Sequence, residues 1–154
     1  PELIALLQRM VAEDVLLVPT LTPMIGWITP EQEAAQPFLQ PYRAMIQAVV
    51  QTFDALGGRI GIGTDYGVPG VPAGLPLNEL LLLQDTGLPT SVIVTAATHN
   101  SAQACGLTET GSLEVGQYAD LLIVRGNPLA DLAALTDLAL VMVNGQIIPA
   151  QPDS

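Results

Sequence analysis

The stretch Arg59-Ile60-Gly61-Ile62-Gly63-Thr64-Asp65-Tyr66-Gly67 decides the fold. It reads as a short buried strand that ends in a polar residue and a loop. Ile60 and Ile62 supply apolar strand character. Gly61 and Gly63 leave room for another backbone or a ligand to come close. Asp65 falls where such a strand stops. In parallel α/β proteins the carboxyl ends of strands are where ligands and catalytic groups gather. An Asp in that place also serves simply to cap a turn, so the neighbouring segments must decide between the two.

Upstream, Leu3, Ile4, Leu7, Met10 and Val11 recur at helical spacing, and Pro1 suits a helix start. Val15-Leu16-Leu17-Val18 predicts a second buried strand. Pro19 to Pro30 predicts an irregular, partly packed segment. Residues 31–56 predict a helix, bent near Pro37 and Pro41 and ended by Gly57-Gly58. Downstream, residues 67–76 predict a loop rich in Gly and Pro. Leu77 to Gln84 predicts a helix closed by Gly87. A further helix runs from Thr90 to Ala97, and a separate turn from Asn100 to Cys105. Strands alternating with helices imply βαβ units and a parallel sheet.

From Gly111 the character changes. Leu121 to Val124 and Leu140 to Val143 predict strands, with a helical turn over Asp131 to Leu135 between them. Asn144-Gly145 is a strong two-residue hairpin signal, with Gln146 to Ile148 returning. The chain therefore divides into an α/β part, residues 1–110, and a small β part, residues 111–154.

Composition narrows the function classes. Among 154 residues there are four Arg, no Lys, fifteen acidic residues and one His, giving a net charge of -11. Such a charge argues against a nucleic-acid backbone or an anionic membrane as partner. No apolar run reaches membrane-spanning length. No basic stretch followed by an apolar one marks a secretory leader in the given residues, so the cytoplasm is the expected compartment. With Cys105 alone, no intrachain disulfide can form. Pro1 falls straight into a helical pattern, so the chain reads as cut from, or processed out of, something longer.

Taken in order, the motifs carry a resemblance. Gly63-Thr64-Asp65, Asn78-Glu79-Leu80, Ala97-Thr98-His99-Asn100-Ser101-Ala102, Gly111-Ser112-Leu113-Glu114-Val115-Gly116, Ala119-Asp120-Leu121, Asn127-Pro128 and Val143-Asn144-Gly145 follow one another. This order resembles the C-terminal part of a metal-dependent amidohydrolase, in the branch of imidazolonepropionase and the Xaa-Pro or Xaa-Arg dipeptidases. The resemblance implies the C-terminal portion of a (β/α)8 barrel, its last two strands and their helices, beside strands of a small β-sandwich. Val15–Val18 would be the seventh barrel strand and Ile60–Gly63 the eighth. Leu113–Val124 and Leu140–Ile148 would belong to the sandwich. It implies a C–N hydrolase acting on a cyclic amide or a dipeptide through a water activated by a divalent metal, zinc by expectation. Asp65 matches the family's aspartate that binds the metal and acts as acid/base.

That role suits the chemistry. A divalent metal lowers the pKa of its bound water, and a fixed carboxylate beside it can take the proton and pass it to the leaving nitrogen. A catalytic zinc site, however, takes three protein ligands, mostly His. The family's other ligands have no counterpart here and would lie upstream of Pro1. The chain alone is therefore expected to hold no metal and to be inactive. Its partners would be a small amide or dipeptide, and the missing N-terminal part of the protein or a second copy. The other reading is a non-catalytic truncated scaffold that serves as an association module.

Single residues weigh less. His99 is expected at the surface or capping a helix, Cys105 as a small buried residue, Glu79 as a solvated helix carboxylate, and Trp27 in core or loop packing. Ala73 and Asn78 stand near where this branch often carries a histidine after the aspartate. Tyr66 breaks any G-x-G-x-x-G pattern, and no phosphate-binding or calcium loop is present.

Overall fold

The computed structural model describes residues 2–69, 71 and 73–149. Seven α-helices precede a three-stranded sheet among these residues. The helices are α1 (Glu2–Ala12), α2 (Leu21–Ile25), α3 (Pro30–Ala35), α4 (Leu39–Ala55), α5 (Leu77–Asp85), α6 (Thr90–Thr95) and α7 (Ser101–Ala104). The strands are β1 (Leu121–Val124), β2 (Leu138–Val143) and β3 (Gln146–Ile148), in that spatial order and antiparallel. No helix among the described residues is long and apolar enough to cross a membrane.

The two expected parallel strands meet at one point. Leu17 and Ile60 form a single parallel bridge, with the Leu17 N–H on the Arg59 carbonyl and the Gly61 N–H on the Leu17 carbonyl, both at 2.9 Å. The pairing and its direction are as the sequence implies, but it does not extend into regular strands over 15–18 and 60–63. Glycine explains how close the two segments come. A Cβ on Gly63 would stand 2.5 Å from Val18 Cγ1 and 3.2 Å from Thr20 Oγ1. What approaches these glycines is the segment 16–20.

Three further boundaries differ from the sequence reading. The segment after Pro19 contains a helix, α2, whose Leu21 and Ile25 are fully buried. Helix α4 is interrupted from α3 only at residues 36–38. Pro41 lies in its first turn, where a proline breaks no helical hydrogen bond. The helix from Thr90 does not stop at Ala97. It passes through a widened π-turn, Ala96–Asn100, directly into α7. The expected place of Pro1 at the head of α1 lies outside the described residues.

The core holds Phe53, Leu21, Ile25, Leu39, Leu80 and Leu83, all nearly or fully buried. Each such side chain stabilises the fold by roughly 1.5–3 kcal/mol relative to exposure. Leu132, on a 3₁₀ turn over Leu132–Thr136, joins this core and ties the C-terminal part to it. The hairpin forms as expected: Val143 pairs with Gln146 across Asn144 and Gly145, both in the left-handed region at φ 49° and 75°. Residues 113–120, expected to extend β1, form no strand and turn at 115–117. Tyr118 donates to the Glu109 carbonyl at 2.7 Å, and Gly116 takes φ 99°, so the chain folds back rather than extending.

Candidate active site

Asp65 stands at the exit of the segment 59–63, exposed, with φ 55°. Its carbonyl accepts from the Val68 N–H at 3.1 Å, closing a tight turn. Thr20 stands at the exit of the parallel segment, also left-handed at φ 52°. A β-branched residue in that region is a steric outlier, and such strain persists only where the surroundings over-determine it. The two exits are thus held in unusual backbone geometry side by side.

Two side chains pin the 60–62 backbone. Asn100, 8% exposed, donates its Nδ2 to the Ile60 carbonyl at 2.8 Å. Ser101 Oγ accepts from the Ile62 N–H at 2.9 Å and donates to the Ala96 carbonyl at 2.6 Å. The π-turn makes this possible. An extra residue in one helical turn rotates the following side chains, and here both consecutive residues reach the same segment. The sequence reading missed this role for Asn100 and Ser101, although it singled out the motif that contains them.

Glu79 requires the largest correction. It is not solvated but fully buried. Oε1 accepts from the Leu21 N–H, and Oε2 from the N–H and the hydroxyl of Thr22, all at 2.7 Å. The carboxylate meets the free N–H groups that begin α2, where the helix offers donors and the positive end of its dipole. Glu79 lies three and four residues before Leu82 and Leu83, on one face of α5, and both leucines are buried with it.

A cleft of about 240 Å³ opens between α2, the turn that follows Asp65, and the start of α5. Thr22, Pro23 and Trp27 form one wall, Val68 and Pro69 another, and Asn78 contributes a polar group. Trp27 is half exposed and donates its Nε1 to the Met24 carbonyl at 3.1 Å. His99 is exposed, with its Nε2 3.0 Å from Gln103 Nε2. Cys105 is exposed as well, contrary to the expectation of a buried thiol, because α7 ends at Ala104 and Cys105 follows on the surface.

As a donor for a divalent cation, Asp65 fits one ligand position: an exposed carboxylate at a strand exit. No group of three or more His, Cys, Asp or Glu placed to hold an ion occurs among the described residues. Among the described residues, Asp65 is thus a candidate for one ligand position and is not part of such a group.

One parallel bridge between two segments, with an aspartate at one exit and helices packed around it, is followed by an antiparallel sheet. The chain belongs to the amidohydrolase family, which it matches over residues 14–148. It is 41% identical to imidazolonepropionase of Symbiobacterium thermophilum over 71 residues, which are 45% of this chain and 17% of that one. Among solved structures it is similar to a Xaa-Pro dipeptidase with methionine bound in its active site (TM-score 0.74, 25% identity, 94% of this chain and 37% of that one). It is also similar to a candidate prolidase from Bifidobacterium longum (TM-score 0.69, 35% identity, 86% of this chain and 35% of that one). An ochratoxinase from A. niger shares the fold (TM-score 0.75, 23% identity). The chain therefore spans about a third of the length of these solved relatives (37%, 35% and 32%), and less of the curated one.

Proposed function

We propose that this chain supplies the acid/base carboxylate, Asp65, of a hydrolase that cleaves a C–N bond in a cyclic amide or a dipeptide. The observation that carries the reading is the position of Asp65, exposed at the exit of a parallel segment pinned by Asn100 and Ser101, in a chain of the amidohydrolase family. The prolidase and imidazolonepropionase relatives support a small amide or dipeptide as substrate. Residues 1–110 form the last two strands and helices of a (β/α)8 barrel in this reading, and residues 111–154 the C-terminal strands of a composite β-sandwich. The remaining metal ligands come from outside this chain.

Asp65 has two tasks. It holds one position of a divalent metal, zinc by preference, and it moves a proton. The metal, when bound, supplies a water acidic enough to lose that proton near neutral pH. The Asp65 carboxylate accepts it and returns it to the leaving nitrogen. The Val68–Asp65 turn and the two clamps on residues 60–62 hold the backbone that leads to and from Asp65, which favours a defined starting point for the transfer.

The test is Asp65→Asn in the enzyme that contains this chain. Asn keeps the size but takes up no proton, so turnover falls roughly 10²–10⁴-fold while the thermal melt stays near wild type. Turnover within threefold of wild type removes Asp65 from the mechanism.

A second reading, an association module without catalysis, is favoured by one observation. Leu122 and Ile123 are adjacent on β1 and so point to opposite faces, yet they are 53% and 48% exposed. Among the described residues neither face of the sheet is fully covered, which leaves apolar surface for another polypeptide.

A further inference from the structure

Glu79 is the fully buried acidic group of the described core, and nothing in the hydrolytic reading uses it. Its three partners all belong to one place, the first turn of α2. Helix α2 has five residues and no local cap: Thr20, its N-cap residue, is left-handed and makes no side-chain capping bond. Short helices are marginal on their own. The cap comes instead from a residue 58 positions away in sequence. The next residue back on α5, Asn78, lines the same cleft as Thr22 and Trp27. One end of α5 thus contributes a polar group to the cleft and, one residue on, the carboxylate that holds the opposite wall.

We propose that Glu79 is a positioning residue that sets the substrate-binding wall formed by Thr22, Pro23 and Trp27. The inference rests on the proposed hydrolase function, and it takes this cleft, lined by Val68 and Pro69 of the turn that follows Asp65, as part of the substrate pocket. Glu79 touches neither substrate nor metal; it acts through α2. The consequence is specific. Loosening α2 weakens binding of the group that enters the cleft and leaves the segment that ends in Asp65 in place, because Asn100 and Ser101 hold the backbone of Ile60 and Ile62 independently of α2. Loss of binding common to ground and transition states raises KM and spares kcat. A merely structural role would lower the melting temperature and the yield without changing KM.

The experiment compares wild type with Glu79→Gln, which keeps the shape but presents an N–H₂ group to donors that need an acceptor. In the enzyme, with methionyl-proline as probe, KM rises about tenfold, the equivalent of one charge-assisted hydrogen bond, and kcat stays within threefold. In the 154-residue chain, Trp27 is the only tryptophan. Its fluorescence is quenched more strongly by acrylamide in Glu79→Gln, because the wall that carries it is no longer anchored. Glu79→Asp, one methylene too short, does not restore either property. An unchanged KM together with unchanged Trp27 quenching overturns the proposal, as does a fall in kcat at constant KM. If the enzyme hydrolyses no C–N bond, the reading of the cleft fails, and the Trp27 measurement still decides whether Glu79 holds α2. If Glu79→Gln does not fold, Thr22→Val removes one of the three donors at nearly constant volume. It must then show the same direction of change in KM and quenching at smaller size; no change in either overturns the proposal.

Discussion

Two regions of this chain use opposite means of holding backbone. The segments 16–22 and 59–65 share one bridge, yet they are fixed from outside by buried or part-buried side chains: Glu79 on Leu21 and Thr22, Asn100 on Ile60, Ser101 on Ile62. The sheet β1–β2–β3 is held by its own antiparallel ladder, with Leu121 opposite Met142, Val141 opposite Ile148 and one register shift between Ile123 and Val124, and has few buried side chains. In the first region the polar groups are internal and the strain at Thr20 and Asp65 is preserved. In the second the backbone is satisfied locally and the apolar surface is left open. The first arrangement suits a site whose atoms must not move; the second suits a surface awaiting a cover.

The largest expected effect concerns that open surface. Ile147 and Val143 are 61% and 51% exposed, and Val115 is wholly exposed. On its own the chain is expected to associate, because burial of apolar area outweighs a charge repulsion that salt screens beyond about 8 Å. Light scattering at two salt concentrations should give a mass well above the monomer's 16.1 kDa at micromolar protein. A clean monomer at both would mean the sheet is not a surface in need of a partner, and the contrast drawn here would collapse.

Next comes the pinned region. Removing both clamps in an Asn100→Ala, Ser101→Ala double variant leaves the Ile60 carbonyl and the Ile62 N–H without partners. At roughly 1–3 kcal/mol for each orphaned group, the chain should lose several degrees or more of melting temperature. Loss of less than a degree would show that residues 60–62 are held by packing alone.

The smallest effect is electrostatic. The Asn144 backbone N–H at 2.7 Å, then the Thr110 hydroxyl, hold the Asp120 carboxyl below the usual carboxylate range. A depressed folded-state pKa contributes stability at pH above the unfolded value, about 3.9, and loses it as pH falls through the folded value. Melting temperatures of wild type and Asp120→Asn should therefore differ near pH 7 and converge towards pH 3. A gap that stays constant over that range would exclude the carboxylate charge as its source.

The sequence made some of this legible and left some of it hidden, for physical reasons. The hairpin at Asn144-Gly145, the helices α1 and α5 and the parallel meeting of Leu17 with Ile60 follow from local signals: periodicity, turn residues and apolar runs. Helix α2 was not legible, because Leu21-Thr22-Pro23-Met24-Ile25 has no local cap and its stabilising carboxylate lies in α5. The burial of Glu79 is the same fact seen from the other side, since a lone charge on a helix is solvated unless tertiary structure brings donors to it. The π-turn was hidden for a similar reason: its extra residue is held by the bonds of Asn100 and Ser101 to a distant segment, not by propensity. Asp65 could be singled out only because a strand-and-glycine pattern ended at it and a family order surrounded it.

In the proposed function, Asp65 is one ligand of a metal centre whose other ligands lie outside these residues. The most direct test is the zinc content of the purified 154-residue chain, measured after dialysis against metal-free buffer. A complete tetrahedral site needs three protein ligands besides water, so the chain should retain well below one equivalent. One full equivalent of zinc, retained by wild type and lost in Asp65→Asn, would mean that these residues alone complete the site and would contradict the account.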